Sequence, residues 1–531
     1  MASLISSLRR AGPKLTSDFF ICQRCLRQSP SVLSKVKTPG KLNLSRTIRF
    51  NSNTAFADSA ASKKSPLSNL SETIYISKKA EGKAAQEARN KDASERKKSS
   101  WPETSSNAVG YWLLASAGSV FGIVVFGGLT RLTESGLSIT EWRPVTGSLP
   151  PLSQEDWDSE FSKYRASPEF KLLNPHMTLA EFKKIYFMEW GHRLWGRFVG
   201  LSFVLPAIYF VSRGKVSRNM SLRLLGISGL IAGQGALGWY MVKSGLKDDL
   251  FAPGSHPRVS QYRLTAHLGA AFLCYTAMLW NGLSILRTNS YLANPTRAHA
   301  QLTHLLSSTL SPFRKSVAGL ALLVFTTAMS GGLVAGLDAG LIYNEFPRMG
   351  VGLHPPKSEL IDPFYSHRPD QSDIVWRNML ENPSTVQLDH RALATTTFTA
   401  VLALWAYTRM NRKVRAALPN SARKGMLGVV HLLMMQVALG ISTLIYMVPV
   451  PLAAAHQAGS LALLTGVLVL GGRVWVPRAT MRLVEKRVSG LSAVRGVQGQ
   501  RMIGLGKEAI KADLGALRRS GPPTGGLAGS P

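Results

Sequence analysis

The sequence predicts an all-α polytopic membrane protein: eight transmembrane helices forming two tandem four-helix bundles, related by pseudo-twofold symmetry along the membrane normal. Three observations predict it. Charged residues are only 18% of the 531 positions, and none falls within 104–130, 224–242, 264–286, 316–337, 425–454 or 456–472. Runs this long and apolar suit a bilayer and exclude a soluble enzyme. The Lys/Arg balance of the connecting segments alternates along the chain, and the second half repeats motifs of the first in the same order.

Residues 1–50 carry ten Lys/Arg against Asp18 alone and contain no continuous apolar segment, the composition of a mitochondrial transit peptide. The run Arg46-Thr47-Ile48-Arg49-Phe50 resembles a processing site, so cleavage is expected near residue 50. Cys22-Gln23-Arg24-Cys25 lies inside that peptide without a second pair and reads as accidental. After cleavage only Cys274 remains, and no intrachain disulfide can form. Residues 51–103 read as a polar matrix arm, 104–286 as the N-terminal bundle, and 287–315 as a matrix linker. Residues 316–475 then form the C-terminal bundle and 476–531 a basic matrix tail.

The expected helices are 108–130, 192–212, 222–243, 264–286, 316–337, 389–408, 425–447 and 453–473. Segments 213–223, 287–315 and 408–424 hold fourteen Lys/Arg and no acid, whereas 131–189, 243–263 and 338–389 hold fifteen Lys/Arg and nineteen Asp/Glu. The first set, with both termini, is therefore expected in the matrix and the second in the intermembrane space. Much of the formal +33 charge lies in the tails and these loop ends, where it records orientation; no nucleic-acid partner is expected. The two long outer segments are rich in aromatics and proline, among them Trp142, Trp157, Tyr164 and Pro150, then Tyr343, Phe364 and Trp376. That composition predicts lids resting on the bundles.

The halves align at four places. Gly127-Gly128-Leu129 with Glu134, Gly136 and Glu141 matches Gly331-Gly332-Leu333 with Asp338, Gly340 and Glu345. Gln234 to Gly238 matches Gln436 to Gly440, His192-Arg193 matches His390-Arg391, and Ala266-His267 matches Ala455-His456. Four spans per unit, an even number, give both copies the same orientation.

His192, His267, His390 and His456 fall in the first turns of the expected second, fourth, sixth and eighth helices, all starting at one face. Two inward imidazoles on facing helices of a bundle can supply both axial ligands of a heme. Zinc fits less well, because no Cys or carboxylate accompanies each pair at ligand spacing. His256 and His354 read as loop residues and His431 as interfacial. Glu189 lies three residues before His192, on the same helix face, whereas Gln387 stands at the related position of the second half. A carboxylate beside only one pair suggests one reactive site and one holding site. Arg131, Arg193 and Arg391 stand at the outer face, where the propionates of hemes on these histidines would emerge.

These residues resemble heme A synthase: Gly127-Gly-Leu-Thr-Arg131-Leu-Thr-Glu-Ser-Gly-Leu-Ser138, Glu189-Trp-Gly-His192-Arg193, Gln234-Gly-Ala-Leu-Gly238, Ala266-His267-Leu268, His390-Arg391 and His456-Gln457. The resemblance covers about residues 105–475 and, with the transit peptide, suggests a mitochondrial member. Paired outer-loop cysteines, present in some bacterial members, are missing here. The resemblance implies oxidation of a ring methyl of heme o to the formyl group of heme a, through hydroxylations and loss of water, for cytochrome c oxidase assembly. It implies that His192 and His267 ligate the substrate heme beside a catalytic Glu189, while His390 and His456 hold a heme b. It also implies an oxidoreductase of the mitochondrial inner membrane. Its expected partners are heme o and its synthase, an electron-transfer protein such as a ferredoxin, cytochrome c oxidase assembly factors, membrane lipid, and a second copy of the chain. The alternative is a bis-histidine diheme cytochrome b that carries electrons without chemistry on its hemes; two equivalent pockets would favour it.

Overall fold

The computed structural model describes residues 101–247 and 257–493. The transit peptide, its processing site, the Cys22–Cys25 motif, nearly all of the arm, His256 and the tail beyond 493 lie outside the described residues. The chain divides into two units, 1–89 and 90–531, and all that follows concerns the second.

Among the described residues the regular structure is helical, apart from one isolated bridge between Met349 and Gly352. In order come α1 (Asn107–Leu132), α2 (Gln154–Arg165), α3 (Pro168–Leu172), α4 (Leu179–Ser212), α5 (Arg218–Gly245) and α6 (Gln261–Ala293). They are followed by α7 (Pro295–Leu305), α8 (Ser311–Gly336), α9 (Ile374–Glu381), α10 (Pro383–Met410), α11 (Asn420–Ile445) and α12 (Val450–Val474). Six of the eight long helices, α1, α5, α6, α8, α11 and α12, fall on the six charge-free runs, and α4 and α10 lie in the two intervals where loop parity expects the others. Seven of the eight, α1, α4, α5, α6, α8, α11 and α12, are long and apolar enough to cross a membrane. The eighth, α10, is 28 residues long but more polar, carrying Gln387, Asp389, His390, Arg391 and four threonines at 395–399. Three of those hydroxyls, on Thr395, Thr396 and Thr399, bond back to the carbonyl one turn earlier, so they cost the helix little.

One expectation needs correcting. α4 starts at Leu179 rather than 192, so His192 is its fourteenth residue and not in its first turn. The helix begins where a capping box forms: the Thr178 hydroxyl accepts from the Glu181 N–H, and the Glu181 carboxylate accepts from the Thr178 N–H. Glu181, Lys183 and Lys184 interrupt the apolar run without interrupting the helix, and Phe182 and Tyr186 bury that extension against the lid. His267, His390 and His456 do lie within two turns of their helix starts.

Each half closes a ring of neighbours, α1–α4–α5–α6 and α8–α10–α11–α12, and the two rings meet through α1, α6, α8 and α12. The shared core contains Leu113, Phe272, Met278, Phe313, Leu461 and Val467. The outer helices are apolar yet turned outward: Phe198, Leu201, Leu205, Ile208, Leu222 and Leu225 are all exposed. The most apolar windows of α4, α5 and α11 are only 17% buried, against 50% in α6. So much exposed apolar surface is stable only against hydrocarbon.

The first outer segment is a lid with a core of its own. Ile139, Trp157 and Tyr164 pack against Phe182 and Tyr186 of α4, with Tyr164 and Phe182 stacked at 5.2 Å. The chain leaves α1 through a left-handed residue, Glu134, and leaves α8 through the repeat-related Asp338; both have φ 52°. Glu169 of α3 is 4% exposed and accepts a hydrogen bond from Tyr164 at 3.0 Å. Burial pushes its carboxyl up to about 7 from 4.5; the Tyr164 bond opposes this, and the charges of Glu189 and Glu134 add to it. Because the folded form holds the proton more tightly, this group's contribution is full below about pH 4.5 and is lost as pH rises through 7. The difference corresponds to at most about 3 kcal/mol. The protection of amides across 164–174, taken relative to their intrinsic exchange rate at each pH, should therefore fall between pH 5 and 8, and Glu169→Gln should flatten that dependence. A lid equally pH-sensitive in the variant would assign the effect to another group.

The expected lid character of 338–389 also holds: Tyr343 donates to Glu359 at 2.7 Å, and Gln387 of α10 donates to the carbonyls of Ala339 and Tyr343. The linker 287–315 contains α7, a helix the charge pattern did not mark.

Candidate functional site

The four histidines share one local arrangement. Each imidazole packs against a glycine of a neighbouring helix, closely enough at Gly127 and Gly440 that a methyl group would not fit. A methyl group added to Gly127 of α1 would come 2.8 Å from Cε1 of His192, and one on Gly238 of α5 would come 3.4 Å from that of His267. The second half repeats this, with 3.1 Å between Gly331 of α8 and His390 and 2.8 Å between Gly440 of α11 and His456. These glycines stand inside the motifs that reveal the repeat, but nothing in the sequence assigns them to the histidines.

Glutamines fix the backbones of the second histidine of each pair. Gln234 Nε2 donates to the carbonyl of His267 at 3.2 Å, and Gln436 Nε2 to that of His456 at 2.9 Å. Ser330 Oγ lies 2.8 Å from Nδ1 of His390, and Phe126 stacks on His192 at 6.3 Å with 8° between the planes. The Nδ1 atoms of His192, His267 and His456 are buried without a hydrogen-bond partner. Buried polar atoms are normally paired, so such repetition marks a site that expects a ligand.

The His390 and His456 rings are 6.5 Å apart, centroid to centroid, at 89°. Two imidazoles bonded from opposite sides to one metal at about 2 Å would have centroids roughly 6–6.5 Å apart. That spacing and the apolar helices around it fit a bis-histidine heme. Among the described residues no group of three or more His, Cys, Asp or Glu converges, which suits a macrocycle completing the coordination better than a tetrahedral ion.

Glu189 is 3% exposed and fully engaged. Oε2 accepts from the Ser138 hydroxyl at 2.7 Å and the Ile139 N–H at 2.8 Å, while Oε1 accepts from Nε and Nη2 of Arg193 at 3.0 and 2.6 Å. Arg193 continues to the carbonyls of Ile139 and Glu141, tying the lid's root to α4. In the second half, Arg391 donates to the carbonyls of Tyr343 and Arg348 and to Gln387 Oε1 at 3.3 Å. The two frameworks thus match in shape but differ by one buried negative charge. Arg131 pairs with Asp338 at 2.8 Å, joining the outer ends of α1 and α8, and Arg258 completes that bridge at 2.9 Å. Nε of both Arg131 and Arg391 remains buried without a partner.

Residues 110–468 match the family of the cytochrome oxidase assembly protein. The heme A synthase of Saccharomyces cerevisiae is 52% identical over 383 residues, 72% of this chain and 78% of that protein. The heme A synthase of Mus musculus is 49% identical over 365 residues, 68% of this chain and 81% of that protein. A heme A synthase–mitochondrial ferredoxin fusion protein of Schizosaccharomyces pombe is 51% identical over 373 residues, 70% of this chain and 60% of the fusion.

Proposed function

We propose, from the premise that the chain belongs to the cytochrome oxidase assembly protein family, that it is a heme A synthase converting heme o to heme a. The observation that carries the site is the packing of each imidazole on a glycine, made by two helix pairs in the first half and by the two repeat-related pairs in the second. His192 and His267 hold the substrate, and His390 and His456 hold a heme b. That heme, when bound, relays electrons. The enzyme acts on a C–H group, the ring methyl that becomes a formyl.

The residues of this chain do the rest. The glycines let the imidazoles approach their helices, and the glutamine and serine bonds orient them. Apolar packing around the pairs keeps water out and strengthens every charge inside. Glu189 contributes negative charge where positive charge develops at the methyl carbon, and Arg193 and Ser138 hold it in place. Gln387 gives the second half the same framework without the charge, which divides a reactive half from a holding half. That asymmetry supports an enzyme over an electron-carrying diheme cytochrome, whose two pockets would be equivalent.

In this reading α10 crosses the membrane with the seven more apolar helices, and the two rings are tandem bundles related by the repeat. Loop charge puts both termini in the matrix of the mitochondrial inner membrane, with both histidine pairs toward the opposite face. A heme A synthase fused to a ferredoxin in S. pombe supports an electron-transfer partner of that kind. The synthase of heme o, oxidase assembly factors, lipid and a second copy of the chain complete the proposed partners.

Pigment analysis of the purified protein tests the reading: heme o or heme a should accompany heme b, whereas heme b alone would favour the electron carrier. The unspent Nε groups of Arg131 and Arg391 suit heme propionates. Arg131→Gln and Arg391→Gln should each lower heme retention about tenfold at normal expression, a loss of about 1.4 kcal/mol. Native retention would leave these arginines as ties for Asp338 and the second lid. Arg193, whose donors already hold Glu189 and two carbonyls, should act on the lid first.

A further inference from the structure

His192 of the first pair and Gln457, the neighbour of His456 in the second, meet a common stretch of α1. Gln457, the residue after His456, donates from Nε2 to the carbonyl of Val124 at 3.0 Å. Its Oε1 occupies the space a side chain on Gly128 would need, 1.6 Å from where a Cβ would stand. Gly127, one residue earlier, is the seat of His192. One Gly-Gly step therefore bears one histidine of the first pair on one residue and the neighbour of a histidine of the second pair on the next. At the repeat-related step, Gly331 seats His390, while Gly332 faces Thr265 Oγ1 at 3.1 Å and Leu268 at 3.3 Å, on either side of His267. Leu268 stands where the repeat would put Gln457, so a hydrogen bond between the halves is made at this point by Gln457 and has no counterpart from leucine.

We propose that Gln457 is a positioning residue that couples the two sites, pinning α12 to α1 so that the seat of His456 is set relative to that of His192. The inference rests on the reading of the two histidine pairs as heme sites. A glycine and a long amide in register make a contact with one geometry, where two ordinary side chains would leave slack. A change in ligation at the second pair shifts α12, and through Gln457 it shifts the backbone under His192.

The test uses the full-length protein purified with its pigment. Gln457→Leu copies the apolar residue of the related junction and removes the hydrogen bond. Gly128→Ala keeps Gln457 but expels its amide. Electron paramagnetic resonance of the low-spin centres and their midpoint potentials are read beside heme content and turnover. Both variants should keep heme at or near native stoichiometry and shift the resonance signature of both centres, with turnover reduced at least tenfold. Where Gly128→Ala fails to accumulate, Gln457→Leu alone decides. Native signatures in Gln457→Leu would overturn the coupling, and so would heme lost in proportion to protein with the remainder unshifted. A native protein without heme on His390 and His456 would overturn the two-site reading and the coupling with it.

Discussion

Glu189→Gln should separate binding from chemistry, retaining the substrate heme while conversion falls by about 10²–10³, the usual cost of removing one preorganised electrostatic group. The second half shows why the variant should fold. Gln387 beside Arg391 already occupies the related position, buried and bonded to its lid. A glutamine at 189 can still accept from Ser138 and Ile139, and Arg193 keeps the carbonyls of Ile139 and Glu141. What disappears is the charge, together with the two bonds that Arg193 donates to Oε1, which an amide NH2 on that side cannot accept. Removing half of a buried ion pair costs some stability, so heme content and lid exchange must be measured beside turnover. Native production of heme a would reduce Glu189 to a brace for the lid. Loss of all heme would make it structural and remove the division between reactive and holding halves. Glu189→Asp, one methylene shorter, should keep partial turnover.

His390→Ala and His456→Ala should each abolish stable heme b retention and loosen the second ring of helices. The imidazoles lie 6.5 Å apart and perpendicular, a spacing that fits the proposal of one shared ligand set. A ligand bound only by the folded state, at a hundred to a thousand times its Kd, stabilises it by about 3–4 kcal/mol. Loss of that term should lower the thermal midpoint and increase exchange in α10 and α12, while α1 to α6 change less. Undiminished low-spin heme b in both variants would remove the assignment.

Six of the long helices were legible because a bilayer demands charge-free runs and charged loops, a rule that one sequence displays without a relative beside it. The ends of the helices were less so. Glu181, Lys183 and Lys184 hid the start of α4, because apolarity reports immersion while the capping box at Thr178 sets where the helix begins. The threonines of α10 pull it below the apolarity of its neighbours, yet they satisfy themselves on the helix's own carbonyls. The four histidines were legible from the repeat, which places like residues in like surroundings. Their glycine seats were not, because which atom lies over Gly127 or Gly440 depends on how two helices cross. The arginines show the same limit: charge and position suited them for propionates, while Arg193 spends its donors on Glu189 and the lid. The lid fold of 131–178, with helices α2 and α3, rests on aromatic contacts that carry no period along the chain.

In the proposed function the chain makes heme a from heme o on its first histidine pair. Heme extraction and mass spectrometry on mitochondria from a strain lacking the protein tests it most directly. Accumulated heme o and no heme a are expected, with heme a restored by the native chain and not by Glu189→Gln. Undiminished heme a in the deletion strain, or no accumulated heme o, would contradict it.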